Sequence, residues 1–246
     1  MLKLIIDIWR SRRTERRLYA EFVEMLEMDH QMFDIVAKVL AGKVSTDEVQ
    51  DDLMRRDIEV NRKERSIRKQ IVERMSMNKG GTVPTSLVLM SVVKDAERVG
   101  DYCKNLLEVA QMLREPIDSL KHSEEVVDIT EHVSEIFRKS IRAFSKEDED
   151  LAREIIEDEG LMNQRCDRLV ESIARSELDA NESVCTALLI RFMKRIEAPL
   201  SNICSSLVLP VHRIDYRLKY VKQADGSVVQ QLAGDELSET DETDEQ

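Results

Sequence analysis

Three polar side chains lie at regular spacing within the segment Asp95–Leu106 and could act together. Glu97, Asp101 and Asn105 are four residues apart, so on a helix all three share one face. Two carboxylates at this spacing repel each other by about 0.2–0.5 kcal/mol. A positive charge must offset this repulsion, either from basic side chains or from a bound cation. The basic side chains that this predicts belong to the preceding helical segment: Arg62, Arg65 and Arg68.

The composition indicates that helices position these side chains. The 246 residues include only seven glycines, four prolines and 4 % aromatic residues, whereas 42 % are hydrophobic and 35 % charged. Sheet proteins need turn residues about every 8–12 positions, and their strands favour aromatic and β-branched residues. A β-sandwich, a barrel or a doubly wound α/β fold is therefore disfavoured. We expect an all-α protein.

Apolar residues at helical spacing predict six helices joined by short loops, which favour antiparallel packing. The first helix ends at Gly42. The second begins after Ser45 and breaks near residues 78–81, and the third runs from Pro84 to Leu113. The other three are predicted at residues 123–144, 149–176 and 181–208.

The six helices form two similar sets of three, which indicates an internal repeat. Asn61 in the second helix and Asn163 in the fifth each follow an acidic residue by four positions. Asn105 in the third helix is matched by Asn202 in the sixth. We therefore predict two tandem three-helix bundles. The predicted boundaries are 1–116 for the first bundle, 117–212 for the second and 213–246 for a tail.

The segment Glu97-Arg-Val-Gly-Asp101-Tyr-Cys-Lys-Asn105 resembles the repeated signature of the PhoU family, roughly E-R-I-x-D-x-x-x-N-I, on the third helix of each bundle. The resemblance extends over about residues 14–208. It implies a cytoplasmic, non-enzymatic adaptor that regulates phosphate uptake and phosphate signalling. Such proteins contact a membrane phosphate transporter and, in many bacteria, its partner sensor kinase.

The resemblance also implies a candidate metal site, because some relatives bind iron or other metals through the carboxylates of both repeats. Carried onto this sequence, it makes Glu97 and Asp101 the candidate ligands of the first repeat. Asp57 and Asn61 would face them across the bundle. Oxygen ligands suit hard divalent cations such as Mg²⁺ and Mn²⁺, and carboxylates also bind iron.

The second repeat departs from this pattern. Aligning the two asparagines places Lys194 where Glu97 stands and Ala198 where Asp101 stands. A lysine ammonium offers a metal no lone pair at neutral pH. Pro199 follows, and a proline inside a helix removes one hydrogen bond and favours a kink. We therefore expect at most one metal site, in the first half, and a second bundle that keeps its fold and serves a partner.

The first residues form an amphipathic pattern. Leu2, Ile5 and Trp9 lie at helical spacing, and a cluster of arginines that includes Arg12 and Arg13 follows. Such a segment can lie on an anionic membrane or in a partner's groove. Alternatively, the first helix begins early and packs on its own bundle or on a second copy of the chain. Peripheral membrane contact and a homodimer both remain open on this pattern.

The last residues differ from the body of the chain. The stretch 235–245 contains seven acidic residues and no basic one, which is typical of a solvated, disordered segment. Before it, the runs 215–220 and 228–232 flank an Asp-Gly pair, which predicts a β-hairpin. We expect the tail from residue 213 onward to be flexible or to contain this hairpin.

Charge and hydropathy exclude several classes of protein. The formal net charge of −12 argues against nucleic-acid binding, which depends on neutralising phosphates. We expect no secretory signal, because the apolar run at residues 1–9 is short and contains Asp7, and no apolar run reaches about 20 residues. Its four cysteines form no C-x-x-C pair, as in a reduced cytoplasmic protein. We expect a cytoplasmic location, with the inner membrane face as an alternative.

Two other functions compete with a regulatory adaptor. The first is a carboxylate-based metal-binding bundle. Ferritin-like bundles use Glu-x-x-His motifs, and this sequence contains none. The second is a non-catalytic helical scaffold, which would have neither a transporter nor a kinase as partner.

Overall fold

Six long helices form the body of the protein in the part of the chain that the structure describes. The computed structural model describes residues 2–76, 83–209, 218–222 and 228–232, with the backbone alone for 2–15, 84 and the last two ranges. The helices are α1 Leu2–Leu40, α2 Thr46–Ser76, α3 Val83–Met112, α4 Ser123–Lys146, α5 Glu149–Ala174 and α6 Ala180–Val208. A short 3₁₀ turn, Ile117–Ser119, precedes α4.

Local sequence explains where several helices begin and end. Gly42 adopts a φ of 65° just after α1, a conformation that costs glycine little. Ser45 and Glu48 form a capping box, because the backbone N–H of Glu48 donates to Ser45 Oγ and the backbone N–H of Ser45 donates to Glu48 Oε1. Asp148 and Asp179 accept backbone N–H bonds at the starts of α5 and α6.

The two three-helix bundles share one continuous hydrophobic core. Aromatic rings on α1 and α4 join them: the Phe33 and Phe137 ring centroids lie 5.4 Å apart, and those of Phe22 and Phe144 lie 4.7 Å apart. The third helices of the two repeats, α3 and α6, also pack against each other along their length. The repeats are therefore coupled through packing rather than joined only by a linker.

The predicted fold class is confirmed. For α3 to α6 the observed helix ends lie within two residues of the predicted ends. The largest difference is α1, which is continuous from Leu2, so the amphipathic start belongs to the first helix. Pro199 does not end α6; it is buried within the helix, which continues to Val208.

Two short strands follow the helices. β1, Leu218–Lys222, pairs antiparallel with β2, Val228–Leu232. β2 coincides with the second predicted run, whereas β1 begins three residues after the start of the first. In the register of this pair Leu218 lies opposite Leu232. Residues 223–227, which include the predicted Asp-Gly turn, and the acidic stretch 235–245 lie outside the described residues.

None of the helices in the described part of the chain is both long enough and apolar enough to cross a membrane.

Candidate functional site

Helix α3 carries the motif with one face inward and one face outward. Val99, Cys103 and Leu106 are buried in the core. Asp101 lies on the outer side with 45 % of its side chain exposed, whereas only 12 % of the Glu97 side chain is exposed. The outward part of the motif is therefore available to solvent, and the inward part holds α3 in the bundle.

Lys104 joins two of the predicted site residues. Its Nζ lies 2.9 Å from Asp57 Oδ1 on α2 and 2.8 Å from Asp101 Oδ1 on α3. Partial burial lowers the pKa of Lys104, but the hydrogen bonds that Lys104 donates to Asp101 and Asp57 outweigh burial and raise the pKa above its ordinary value. The ammonium group is therefore held charged between the two carboxylates, and α2 and α3 are bridged at this point.

The other two predicted site residues make local contacts. Glu97 pairs with Lys94 one turn earlier on α3. Asn61 donates from Nδ2 to the backbone carbonyl of Asp57 at 3.0 Å, within α2. The structure therefore brings the Asp57 and Asp101 carboxylates together on Lys104, whereas Asn61 contacts only the Asp57 backbone and Glu97 pairs with Lys94.

The prediction that arginines of α2 pair with the carboxylates of the motif is wrong. Arg65 donates to the Asn61 backbone carbonyl, and Arg68 pairs with Glu64 on its own helix. Lysines of α3 itself compensate the carboxylates, because a lysine three residues away on the same helix reaches them more directly than a side chain on α2.

A buried carboxylate that the sequence analysis missed lies beneath the motif. Asp29 on α1 is fully buried, and neither carboxyl oxygen has a hydrogen-bond partner among the described residues. Burial raises the pKa of Asp29 well above its ordinary value, and the charges of Asp57, Glu97 and Asp101 raise it further. Both effects disfavour the ionised form of this carboxyl.

Asp29 fits because the residue opposite has no side chain. A Cβ built on Gly100 would lie 3.0 Å from Asp29 Oδ1, and 3.6 Å from Val60 Cγ1. Contacts that close force neighbouring atoms to move. Gly100 thus provides the space that the Asp29 carboxyl occupies between α1 and α3.

The first-bundle carboxylates do not form a metal cage in this arrangement. Among the residues that the structure describes, no group of three or more His, Cys, Asp or Glu side chains is placed to hold a metal ion. The donors are the oxygen atoms that hard cations prefer, but Lys104 lies between Asp57 and Asp101, and Lys94 contacts Glu97. A metal at the predicted ligands would have to displace the Lys104 ammonium, so the metal site stays a prediction.

The second repeat has a different charged cluster at the matching place. Lys194 pairs with Asp167 on α5 at 2.5 Å. Glu197 is fully buried, its Oε1 lies 3.2 Å from His132 Nε2 on α4, and its Oε2 has no hydrogen-bond partner among the described residues. Asp158 Oδ2 on α5 lies 3.6 Å from the same histidine nitrogen. This cluster links all three helices of the second bundle.

Each repeat has one acid with no exposed surface, Asp29 on α1 in the first and Glu197 on α6 in the second. Glu197 stands where Gly100 stands in the first repeat, and Val133 stands where Asp29 stands when Phe33 is aligned with Phe137. The first repeat thus has its buried acid on the first helix and glycine at the matching position of the third, whereas the second repeat has its buried acid on the third helix and valine at the matching position of the first. Only the second repeat supplies its acid with a basic partner, His132.

The remaining motif asparagines have structural contacts. Asn163 donates from Nδ2 to Glu159 Oε1 at 3.0 Å, within α5. Asn202 is half-buried on α6, and its backbone carbonyl accepts from Ser205 Oγ. Asn105 lines an open, polar groove with Arg98, Asp101 and others.

This groove, called here the motif groove, has a volume of about 450 Å³. Its lining residues come from α2 and α3: Met54, Arg98, Asp101, Tyr102, Lys104, Asn105 and Glu108. Tyr102 also packs toward the second bundle, where the Arg195 guanidinium lies 5.9 Å from its ring centre. The groove is therefore next to the junction of the two repeats.

The His132–Glu197 pair predicts a dependence of stability on pH. The hydrogen bond that His132 donates to Glu197 raises the pKa of His132, against partial burial, and burial raises the pKa of Glu197. Asp158, Glu159 and Arg165 are the other charges that act on the pair. Because both pKa values are raised, the folded state holds more protons than the unfolded chain.

The free energy of unfolding should therefore fall by about 1 kcal/mol as the pH rises from about 6 to 8. Stability from charged His132 is fully present below its ordinary pKa of 6.5 and is lost as the pH rises through the higher folded-state pKa. Urea unfolding at several pH values measures this, and both His132→Gln and Glu197→Gln should flatten the profile. A slope that neither substitution changes would contradict the assignment.

The candidate partner-binding residues Leu2, Ile5, Trp9, Arg12 and Arg13 lie in the helical backbone of α1. Their side chains lie outside the described residues. Their predicted role in contacting a membrane or a partner stays a prediction.

Comparison with known proteins agrees with this geometry. The family model described as the PhoU domain matches twice, over residues 22–110 and 126–207. The first match includes α2, nearly all of α3 and about half of α1, and the second includes α5 and nearly all of α4 and α6. No curated protein matches the sequence.

Two solved structures share the fold. The phosphate transport system regulatory protein PhoU from Streptococcus pneumoniae superposes with a TM-score of 0.69 at 17 % identity, covering 80 % of this chain and 94 % of that one. PhoU from Pseudomonas aeruginosa superposes with a TM-score of 0.70 at 16 % identity, covering 80 % and 96 %. At this identity the likeness shows the fold alone.

Proposed function

Because this chain belongs to the PhoU family, we propose that it regulates phosphate uptake or phosphate-responsive signalling through contacts with other proteins. The partners would be a component of a membrane phosphate transporter, a sensor kinase, or both. The observation that carries this proposal is the match of the family model to both repeats. The structural relative from Streptococcus pneumoniae, a phosphate transport system regulatory protein, supports the same role.

The motif groove is the surface that we assign to the partner. Except for Glu108, its polar side chains come from the family motif itself, and the outward members of that motif are partly exposed. Arg98 and Lys104 lie beside Asp101 and Glu108, so the groove offers charges of both signs. Met54, with 46 % exposure, adds an apolar contact at its wall. Such a mixture is suited to a protein segment, since apolar area contributes affinity and charged pairs fix orientation.

The proposal places the protein in the cytoplasm, at the inner membrane face when it contacts its partner, and assigns it no catalysis. The arginine-rich start of α1 is the part suited to an anionic membrane surface. A homodimer is compatible with the proposal but is not required by it. The alternative, a metal-binding bundle, requires that a metal replace the Lys104 ammonium between Asp57 and Asp101. Substitution of Lys104 tests this alternative directly.

The proposal predicts that a phosphate transporter component or a phosphate-responsive kinase is recovered with the tagged protein. The source is gently solubilised membranes of phosphate-replete cells, and mass spectrometry identifies the captured proteins. Met54→Arg should reduce this recovery several-fold, because it places a bulky cation in the wall of the motif groove.

The matched control is Leu161→Arg, which makes the same change at an exposed apolar residue of α5 outside the groove. It should leave the recovery at the level of the unsubstituted protein. Equal losses from both variants would mean that the motif groove is not the contact surface. Recovery of neither partner under replete or starved conditions would leave the scaffold alternative.

A further inference from the structure

The outer side of α2 carries a line of exposed side chains, called here the α2 stripe. Its members are three, four or seven residues apart and therefore share one side of the helix: Asp51, Ile58, Arg62, Arg65 and Lys69. Between residues 60 and 72 every exposed charged side chain of α2 is basic. Most of the stripe is therefore a cationic surface, in a chain whose formal net charge is −12.

The cations of the α2 stripe are only weakly neutralised within the chain. Arg65 Nε donates to the backbone carbonyl of Asn61 rather than to a carboxylate. Lys69 Nζ lies 3.7 Å from Glu73 Oε1, and both side chains are more than half exposed. An exposed pair of this kind contributes about 0–1 kcal/mol. A carboxylate from outside the chain can therefore compete for these cations.

The second helix of the other repeat, α5, carries a line of exposed side chains with the opposite charges. This α5 stripe consists of Asp150, Glu154, Glu157, Leu161 and Arg168. The Leu161 side chain is 69 % exposed, compared with 46 % for Ile58 in the α2 stripe. Glu154 also pairs with Lys139 on α4, but 59 % of its side chain stays exposed. Each stripe thus combines one exposed apolar residue with a run of like charges.

The two stripes match when the helices run antiparallel. The intervals from Ile58 to Lys69 are four, three and four residues, and the same intervals lead backward from Leu161 to Asp150. Ile58 then faces Leu161, and the cations at positions 62, 65 and 69 face the acids at 157, 154 and 150. Seven residues beyond the apolar pair the charges change sign on both helices, so that Asp51 faces Arg168.

The apolar pair fixes this register. A shift by seven residues in either direction would set both Ile58 and Leu161 against charged side chains. Burying an apolar group against an unpaired charge costs free energy, because the charge loses water without gaining a partner. One alignment of the two helices is therefore favoured over its neighbours.

We propose that α2 of one chain packs antiparallel on α5 of a second copy of this chain through these two stripes. Within one chain α2 packs on α1 and α3, whereas α5 packs on α4 and α6. Contact between the cationic parts of two α2 stripes would oppose like charges instead. Because the contact joins two different surfaces, two chains can use it once or, as a closed pair, twice. The inference does not depend on the proposed function, which requires no dimer.

Sedimentation velocity of the full chain at increasing concentration tests the proposal. In about 0.1 M salt, where the Debye length is about 10 Å, the mass should rise with concentration. Reversing two cations of the α2 stripe by Arg62→Glu and Arg65→Glu should weaken the association at least about tenfold, because like charges then face each other. Reversing two acids of the α5 stripe by Glu154→Arg and Glu157→Arg should weaken it to a similar extent.

Combining these variants separates a specific contact from a general effect of charge. The chain with all four substitutions should associate again, and a mixture of the two double variants should form mixed assemblies. The control with the same change in net charge as the α2 variant is Arg142→Glu with Arg191→Glu, at exposed positions of α4 and α6. It should keep the association.

Leu161→Arg separates this inference from the proposed function. It should weaken self-association, since it sets a charge against Ile58, while leaving the recovery of a transporter component or kinase unchanged. A loss of self-association alone would therefore leave the proposed function standing, and a failure to recover either partner would leave the contact between copies standing.

Four outcomes would overturn the inference. A mass of one chain at every concentration would show that the chain does not self-associate. Association that both double variants retain would place the contact elsewhere on the surface. Failure of both the fourfold variant and the mixture to associate would show that the two stripes do not face each other. A single chain that binds phosphatidylglycerol vesicles, and loses this binding in the α2 variant, would assign the α2 stripe to an anionic membrane.

Discussion

Gly100→Ala is expected to destabilise the protein by about 1–3 kcal/mol, although alanine favours helices over glycine by about 1 kcal/mol. The new Cβ would lie 3.0 Å from Asp29 Oδ1, and full burial leaves the Asp29 carboxyl little room to move. In the Asp29→Ala background the obstruction is gone, and the same substitution should become neutral or stabilising. Urea unfolding of the two single variants and the double variant measures this reversal.

Gly160→Ala is the matched control for this cycle. Gly160 is also within a helix, but nothing lies within 4 Å of a Cβ added there. It should stabilise the protein by up to about 1 kcal/mol, whichever residue occupies position 29. If Gly100→Ala costs the same with aspartate and with alanine at position 29, the close approach of Asp29 to Gly100 is not what requires glycine.

Lys104→Met should cost about 2 kcal/mol of stability. It removes the ammonium group that both Asp57 and Asp101 contact, while methionine keeps much of the apolar stem. Loss of one partner of a buried ion pair costs about 3–5 kcal/mol, and the exposure of Asp101 reduces that figure here. Chemical denaturation at neutral pH gives the difference in the free energy of unfolding.

Lys194→Met is the control, since Lys194 has a single, mostly exposed partner in Asp167. Its cost should stay below about 1 kcal/mol. The Lys104→Met variant also tests the metal prediction, because the space between the two carboxylates then lacks its cation. Millimolar Mn²⁺ should raise its melting temperature, and Asp57→Asn in addition should abolish the gain. No response to Mn²⁺, Mg²⁺ or Fe²⁺ would remove the first-bundle metal site.

The fold could be predicted from the sequence because its helices are locally specified. Apolar periodicity, the Ser45–Glu48 capping box and Gly42 each act over a few residues. The acid–asparagine spacing in the second helix of each repeat indicated the internal repeat. These features do not depend on how the helices pack, so the element order and class followed from them.

The candidate site could be predicted only in part. The meeting of Asp57 and Asp101 was expected, but Lys104 as their shared partner was not, because the motif places no special weight on that position. Asp29 and Glu197 could have been found. Each interrupts an apolar stripe at an inward position, between Leu26 and Met32 in α1 and between Met193 and Leu200 in α6. The residues that contact Asp29 and Glu197 could not have been predicted, because contacts between helices depend on packing, which local sequence patterns do not determine.

The proposed regulatory contact is tested most directly by the capture of partners from phosphate-replete membranes with the unsubstituted protein, Met54→Arg and Leu161→Arg in parallel. The account predicts that a phosphate transporter component or phosphate-responsive kinase is recovered with the unsubstituted protein and with Leu161→Arg, and several-fold less with Met54→Arg. Recovery of neither class of partner, with all three variants folded and equally abundant, would contradict it.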